Sequence, residues 1–346
     1  MSSPSWRSLL GGFLGRTMAT GTTGEPISAV CLGEKVPEAV ASNSKLHVFT
    51  FAELSVATGG FASGNKIGQG GFGTVYRGII KDGVTPGLPA QAVAVKRGLA
   101  DDYVEELLKE AMFLSNLQAR HPSLVKMIGY CCEAEHRLLV YEFMGHGSLD
   151  HYLSKPVRSE LLWSTRLNIA IAAAKGLASL HGAEKPLICG EFSSSDILLD
   201  SNNNAKIMLS GLRLDTRGSD DDTFVTSRVG RTPRGWAPEY MRSGRLTPKS
   251  DVHSFAMVLL EILITGLKEQ YLVVYARPGF KDPRRLARIM DRELKGLYPV
   301  AAAREVALLA SKCLEVEPER RPSMSDVVEA LERLTDAVVP EVDARP

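Results

Sequence analysis

A run of glycines at fixed spacing, Gly68-Gln69-Gly70-Gly71-Phe72-Gly73-Thr74-Val75, constrains this chain more than any other feature. Glycine has no Cβ to shield the backbone N–H groups, so such a run serves either an ordinary turn or a loop lying over phosphate oxygens. In a dinucleotide-binding unit it would open a helix, with an acidic residue about 20 positions further on. Here Val75-Tyr76-Arg77 follow and favour a strand, so the run predicts a strand–turn–strand hairpin. A second apolar strand, Val93-Ala94-Val95, ends on Lys96. Residues 101–118 then place apolar side chains at helical spacing and carry Glu105, Glu106 and Glu110. A buried ammonium requires a carboxylate partner, and Glu110 lies on the apolar side of that helix.

The rest of the chain divides by its periodicity. Strand signals recur at 124–132 and 138–143, and helical patterns dominate after Ser148, at 165–181, 249–265, 301–315 and 324–337. A short helix is expected at 55–61, with order beginning near Phe49. The 346 residues suit about two domains. The predicted class is therefore α+β: a small β-rich lobe, a larger helical lobe, and a ligand cleft between them. A hydrophobic share of 44% supplies a core. With 41 Lys+Arg against 40 Asp+Glu, no global field attracts nucleic acid or anionic lipid. No apolar run approaches the ~20 residues of a membrane-spanning helix. Five cysteines without a CxxC pair read as reduced thiols. No histidine has metal-ligand spacing; His136, His146 and His151 read as solvated.

Residues 1–48 read as a segment outside the domain. They contain many Gly, Ser and Thr, and their first acidic residue is Glu25. Residues 6–17 are weakly amphipathic, which suits a disordered leader or an organelle-targeting sequence. Ser2 excludes an N-myristoyl anchor.

Over residues 49–335 these features resemble protein-kinase motifs. Leu139-Val140-Tyr141-Glu142-Phe143-Met144 is similar to a kinase hinge, Ala237-Pro238-Glu239 matches A-P-E, Lys249-Ser250-Asp251-Val252 resembles the start of the central helix, and Arg321-Pro322 completes the set. The phrasing around them resembles plant receptor-like cytoplasmic kinases. The resemblance implies a bilobal fold with an N-lobe at 49–143, a C-lobe at 147–335 and a tail at 336–346. It implies ATP held by Gly68, Gly70, Gly73 and Lys96, with Glu110 pairing the lysine. It places Tyr141 as gatekeeper, the backbone of Glu142 and Met144 against adenine, and Val75, Ala94 and Leu198 around the base. Core packing alone would equally account for the last three. Other proteins (kinases, receptors or immune receptors) are the implied partners, in the cytoplasm or at the periphery of the plasma membrane.

The catalytic motifs depart from that pattern. Where the family has H-R-D-x-K-x-x-N, this chain has Cys189-Gly190-Glu191-Phe192-Ser193-Ser194-Ser195-Asp196. Glu191 keeps a carboxylate at the base position but adds a methylene, and displacement of about 1 Å can cost about 100-fold in rate. Ser193 replaces the phosphoryl-steadying lysine, and Asp196 replaces the metal-holding asparagine, leaving Asp196 as the candidate metal ligand. Leu209-Ser210-Gly211 stands in place of D-F-G, and Leu209 cannot ligate Mg²⁺, which takes oxygen ligands. Asp215 is six positions off that register. Gly190 replaces an arginine that receives an activation-segment phosphate. Thr226 and Ser227, beyond the acidic run 220–222, read as a modification site or as plain acidic loop. The expectation is an inactive kinase homologue, a scaffold, regulator or decoy that binds ATP with Mg²⁺ weak or absent. The alternative is a low-activity serine/threonine kinase using Glu191 as base and Asp196 for metal. Because Lys96 can neutralise phosphate charge by itself, ATP should raise the melting temperature with little dependence on Mg²⁺ in a thermal-shift titration.

Overall fold

The computed structural model describes residues 46–70, 73–83, 87–98, 121–133, 136–154, 161–183, 186–190, 192–208, 224–225, 236–264, 283–291, 294 and 296–336. The chain forms two compact units, Met1–Gly145 and His146–Pro346. The β-rich first unit and helical second unit expected from the sequence are both present.

The first unit is a six-stranded sheet built on β1 (His47–Val48), β2 (Lys66–Gly70), β3 (Gly73–Ile80), β4 (Gln91–Arg97), β5 (Met127–Glu133) and β6 (His136–Glu142), in the order β1-β5-β6-β4-β3-β2. All pairs are antiparallel except β1 with β5. Gly129 makes that parallel pairing fit, because a Cβ there would lie 2.1 Å from the His47 carbonyl oxygen. Between β1 and β2 runs α1 (Phe51–Ala57). Its start differs from the helix expected at 55–61 because the decisive signal is a capping box. Thr50 Oγ1 accepts from the Glu53 N–H, and the Glu53 carboxylate accepts from the Thr50 N–H at 2.7 Å. The Gly59-Gly60 pair, both at positive φ, then carries the chain out of the helix.

Strand alternation gives the sheet two faces. One carries Val93, Val95, Leu138, Val140 and Cys131, which pack with Phe49, Leu54 and Ile80 into the core beneath α1. Arg97 stands over the rings of Phe51 and Phe61, and His136 stacks on Phe51 at 3.7 Å between centroids. The helix expected at 101–118, with Glu110, lies outside the described residues.

The second unit centres on one long buried helix. A three-stranded sheet pairs β7 (Gly147–Ser148), β8 (Ile197–Leu199) and β9 (Ala205–Ile207), and β10 (Phe224–Val225) pairs with β11 (Arg245–Leu246). The helices are α2 (Leu149–Leu153), α3 (Trp163–His181), α4 (Pro238–Ser243), α5 (Pro248–Leu263), α6 (Pro283–Ile289), α7 (Val300–Cys313) and α8 (Met324–Asp336). Pro248 occupies the first turn of α5 behind the N-cap Thr247, where its missing N–H costs nothing. Nearly every α5 side chain is buried, as expected for a helix apolar on all sides. Helix α3 packs against α5 and α8, and α7 against α5.

One buried ion pair ties these helices together. Arg166, 1% exposed, donates to Asp291 at 2.6 Å and to the carbonyls of Leu161 and Ile262 at 2.8 and 2.7 Å. Removing one partner of a buried pair strands the other charge, at a cost of about 3–5 kcal/mol. Arg166→Ala should therefore lower the unfolding free energy by about that amount in urea titrations, whereas the exposed Lys175–Glu332 pair should contribute less than about 1 kcal/mol.

Candidate functional site

The strand register of the first unit decides which predicted residues share a surface. Val75 pairs with Lys96 and Lys96 with Leu139, while Ala94 pairs with Tyr141. Val75, Ala94, Lys96 and Tyr141 therefore occupy the sheet face opposite α1, and all four are buried. Gly68 and Gly70 lie on β2, paired with Val75 and Gly73. Gly73 has φ +131°, and a Cβ there would meet the Arg97 carbonyl oxygen at 2.0 Å. The last glycine of the run is thus required by close approach of β3 to the strand bearing Lys96. At the end of β6 the Glu142 N–H donates to the Lys126 carbonyl at 2.9 Å, and its carboxylate accepts from the Lys126 N–H at 2.6 Å. Met144 follows, 1% exposed, and its backbone makes no hydrogen bond among the described residues.

In the second unit a buried carboxylate positions the segment that leads into Glu191. Asp251 has no exposed surface; its Oδ1 accepts from the Gly190 N–H at 2.7 Å, and its Oδ2 from the Cys189 N–H and His181 Nε2, both at 2.9 Å. Gly190 has φ +76°, and a side chain there would meet Leu246 Cδ1 at 2.8 Å. Burial pushes the Cys189 thiol well above its ordinary value, reinforced by the charges of Asp251 and Asp196, so it stays protonated and is no nucleophile. Glu191, the base candidate, lies outside the described residues, as do Leu209 and Asp215.

Ser193 and Asp196 close a small turn. The Ser193 N–H and hydroxyl both donate to Asp196 Oδ2 at 2.9 Å, and Ser193 Oγ lies 2.7 Å from Ser195 Oγ. The Asp196 carbonyl accepts from the Met208 N–H at 2.7 Å, which brings the chain leading into Leu209 alongside Asp196. A carboxylate fixed in this way is a suitable oxygen donor for Mg²⁺, which commonly uses one or two carboxylates and completes its shell with phosphate and water. Among the described residues no group of three or more His, Cys, Asp or Glu side chains gathers as a metal cluster. Leu198 is buried in the middle of β8, between Ser148 and Lys206.

Glu239 forms the third fixed point. Arg321 grips it bidentately, with both nitrogens 2.8 Å from the two carboxylate oxygens, and the Ser250 hydroxyl donates to it at 2.9 Å. Burial opposes ionisation, but the Arg321 and Ser250 hydrogen bonds outweigh it and hold the carboxyl below its usual range.

The sequence places Asp251 at the start of the central helix but does not show its partners, His181 and the N–H groups of Cys189 and Gly190. An ionisable residue within an apolar helix was the available signal, because a buried charge requires partners. His146 also departs from the solvated reading: its Nδ1 lies 2.9 Å from Asn203 Oδ1.

The family model for protein tyrosine and serine/threonine kinases matches residues 61–331, and an EPD1-interacting receptor-like cytoplasmic serine/threonine-protein kinase of Nicotiana benthamiana is 50% identical over 304 residues. The chain belongs to the plant receptor-like cytoplasmic kinases. That similarity covers 85% of this chain and 65% of the relative. Serine/threonine-protein kinase PBL13 of Arabidopsis thaliana is 48% identical over 89% of this chain and 64% of its own length. Probable serine/threonine-protein kinase PBL8 of the same plant is 48% identical over 84% and 74%. The chain thus spans less than two thirds of the first two relatives' length. No described helix is long and apolar enough to cross a membrane.

Membership in this family corrects the expectation of an inactive homologue. Relatives about 50% identical are named serine/threonine-protein kinases, which points to an enzyme. The inactive reading rested on Ser193 and Leu209 in place of the lysine and the metal aspartate, with a lengthened base at Glu191. Yet the sequence keeps carboxyl groups at Glu191 and Asp196, and Asp251 still holds the Cys189–Gly190 backbone just before Glu191.

The depressed Glu239 carboxyl has a definite sign in pH. Its native form gives up the proton at lower pH than the unfolded chain, whose value is near 4.5. The ion pair therefore contributes fully above pH 4.5, and that contribution disappears as pH falls through the lower native value. Denaturant titrations should show wild type losing stability more steeply below pH 4.5 than Glu239→Gln, which has no proton to take up there.

Proposed function

We propose that this receptor-like cytoplasmic kinase is an ATP-dependent serine/threonine protein kinase of slow turnover, its kinase domain at 49–335. The observation that carries this reading is the roughly 50% identity to named serine/threonine kinases across 85% of the chain. ATP is the phosphoryl donor. Lys96 neutralises phosphate charge from the buried sheet face, the glycines of β2 and β3 present N–H groups, and the backbone of Met144, unbonded among the described residues, takes the base edge. Glu191 accepts the proton of the substrate hydroxyl as that oxygen bonds to the γ-phosphorus and the bond from that phosphorus to the β–γ bridging oxygen breaks, releasing ADP. Asp196 would hold Mg²⁺, which when bound neutralises charge on the phosphates.

The slow rate follows from what the residues supply. Phosphoryl transfer depends almost wholly on positioning and charge neutralisation. The base carries an extra methylene, no lysine stands at Ser193, and Leu209 offers no second metal oxygen. The acceptors are Ser and Thr hydroxyls of other proteins, with kinases, receptors or immune receptors as partners in cytoplasmic signalling, including at the inner face of the plasma membrane.

A γ-phosphate transfer assay on a serine/threonine peptide array, with Mg²⁺, tests this. Wild type should show transfer, and Lys96→Ala, Glu191→Gln and Asp196→Ala should each lower it at least tenfold. Leu209→Asp, which restores a metal oxygen, should raise turnover at least tenfold. Absence of transfer by folded wild type on every peptide, unchanged in Leu209→Asp, would sink the proposal.

A further inference from the structure

Phosphoryl transfer makes no use of an apolar hollow on the first unit, beside α1. Buried Phe49, Leu54 and Ile80 line its inner wall, while Val56 and Ile79 stand at its rim, 71% and 52% exposed. Its volume of about 40 Å³ takes the tip of one aliphatic side chain. The helix cannot roll to hide Val56. A Cβ on Gly78 would lie 3.4 Å from both the Ala57 carbonyl oxygen and Thr58 Cγ2, so the end of α1 already rests on the backbone of β3. The other end is fixed where the Phe51 N–H donates to Glu133 at 2.7 Å. Large apolar side chains kept exposed on a fixed scaffold commonly mark a contact surface.

The same chain carries a matching segment. Trp6, Leu9, Leu10, Phe13 and Leu14 fall within nine positions, 6–14, and no acidic residue precedes Glu25. Arg7 and Arg16 flank these side chains, and Glu53 sits at the edge of the hollow with Lys81 beyond it. The described chain begins at Leu46 and reaches the hollow at Phe49. Residues 15–45 separate that segment from the described chain, and a flexible linker of about 30 residues would have a root-mean-square span of roughly 30 Å, enough to reach across one face of a small domain. Tethering also turns docking into an intramolecular event at an effective concentration in the millimolar range, so a weak apolar contact suffices.

We propose that residues 6–14 dock into this hollow, an aliphatic tip filling it between Val56 and Ile79, and so fold the amino-terminal segment back onto α1. The full chain with the photo-crosslinker p-benzoylphenylalanine at exposed Val56 provides the test. Irradiation at high dilution, followed by peptide mapping, should give adducts within one chain to residues 6–14. In the chain carrying Leu9→Ser, Leu10→Ser and Phe13→Ser, those adducts should fall at least tenfold, with the melting temperature unchanged. Adducts between two copies, adducts confined to other segments, no adducts, or adducts undiminished by the triple substitution would each overturn the proposal.

Discussion

A carboxylate with no exposed surface, Asp251, fixes where the Cys189–Gly190 segment of the second unit lies. Burying an ion costs several kcal/mol unless hydrogen bonds compensate, and here three donors do so: His181 Nε2 and the N–H groups of Cys189 and Gly190. Asp251 belongs to the first turn of α5, itself enclosed by α3 and α7. From the adjacent position, Ser250 reaches Glu239, and Arg321 closes on the same carboxylate. One helical turn thus registers the backbone before Glu191 and the start of α4 against a single rigid core. Side chains can drift within that frame without moving the chain that carries them.

Periodicity made the long elements legible. Helices α3, α5, α7 and α8 begin and end within about two residues of the apolar pattern, because each buries a stripe that the sequence must encode locally. Elements held by partners were harder to see. Strand β1 is two residues long and exists because Gly129 admits the His47 carbonyl, a fact written some 80 residues away. The start of α1 was carried by Thr50 and Glu53, whereas the sequence reading followed apolar spacing and placed the helix late.

The candidate site shows the same division. Val75, Ala94 and Lys96 could be grouped from strand alternation, and the register puts them with Tyr141 on one face. The clamp made by Asp251 and the Arg166–Asp291 pair could not be read this way, since their partners lie 61 to 125 residues apart. The error over activity had a chemical origin. A motif is written in residue names, but the reaction requires oxygen atoms, and the sequence keeps carboxyl groups at Glu191 and Asp196.

The pairing of β1 with β5 also bears on how the molecule behaves among its neighbours. A sheet border with unsatisfied amides invites another chain to add itself, the first step toward fibrous association. Here the seven-residue β5 is shielded by a strand of two residues, followed by the Phe49 N–H bonded to Tyr130 at 2.8 Å. So short a cover presents almost no template of its own, and the leading stretch of polypeptide doubles as a guard against self-association.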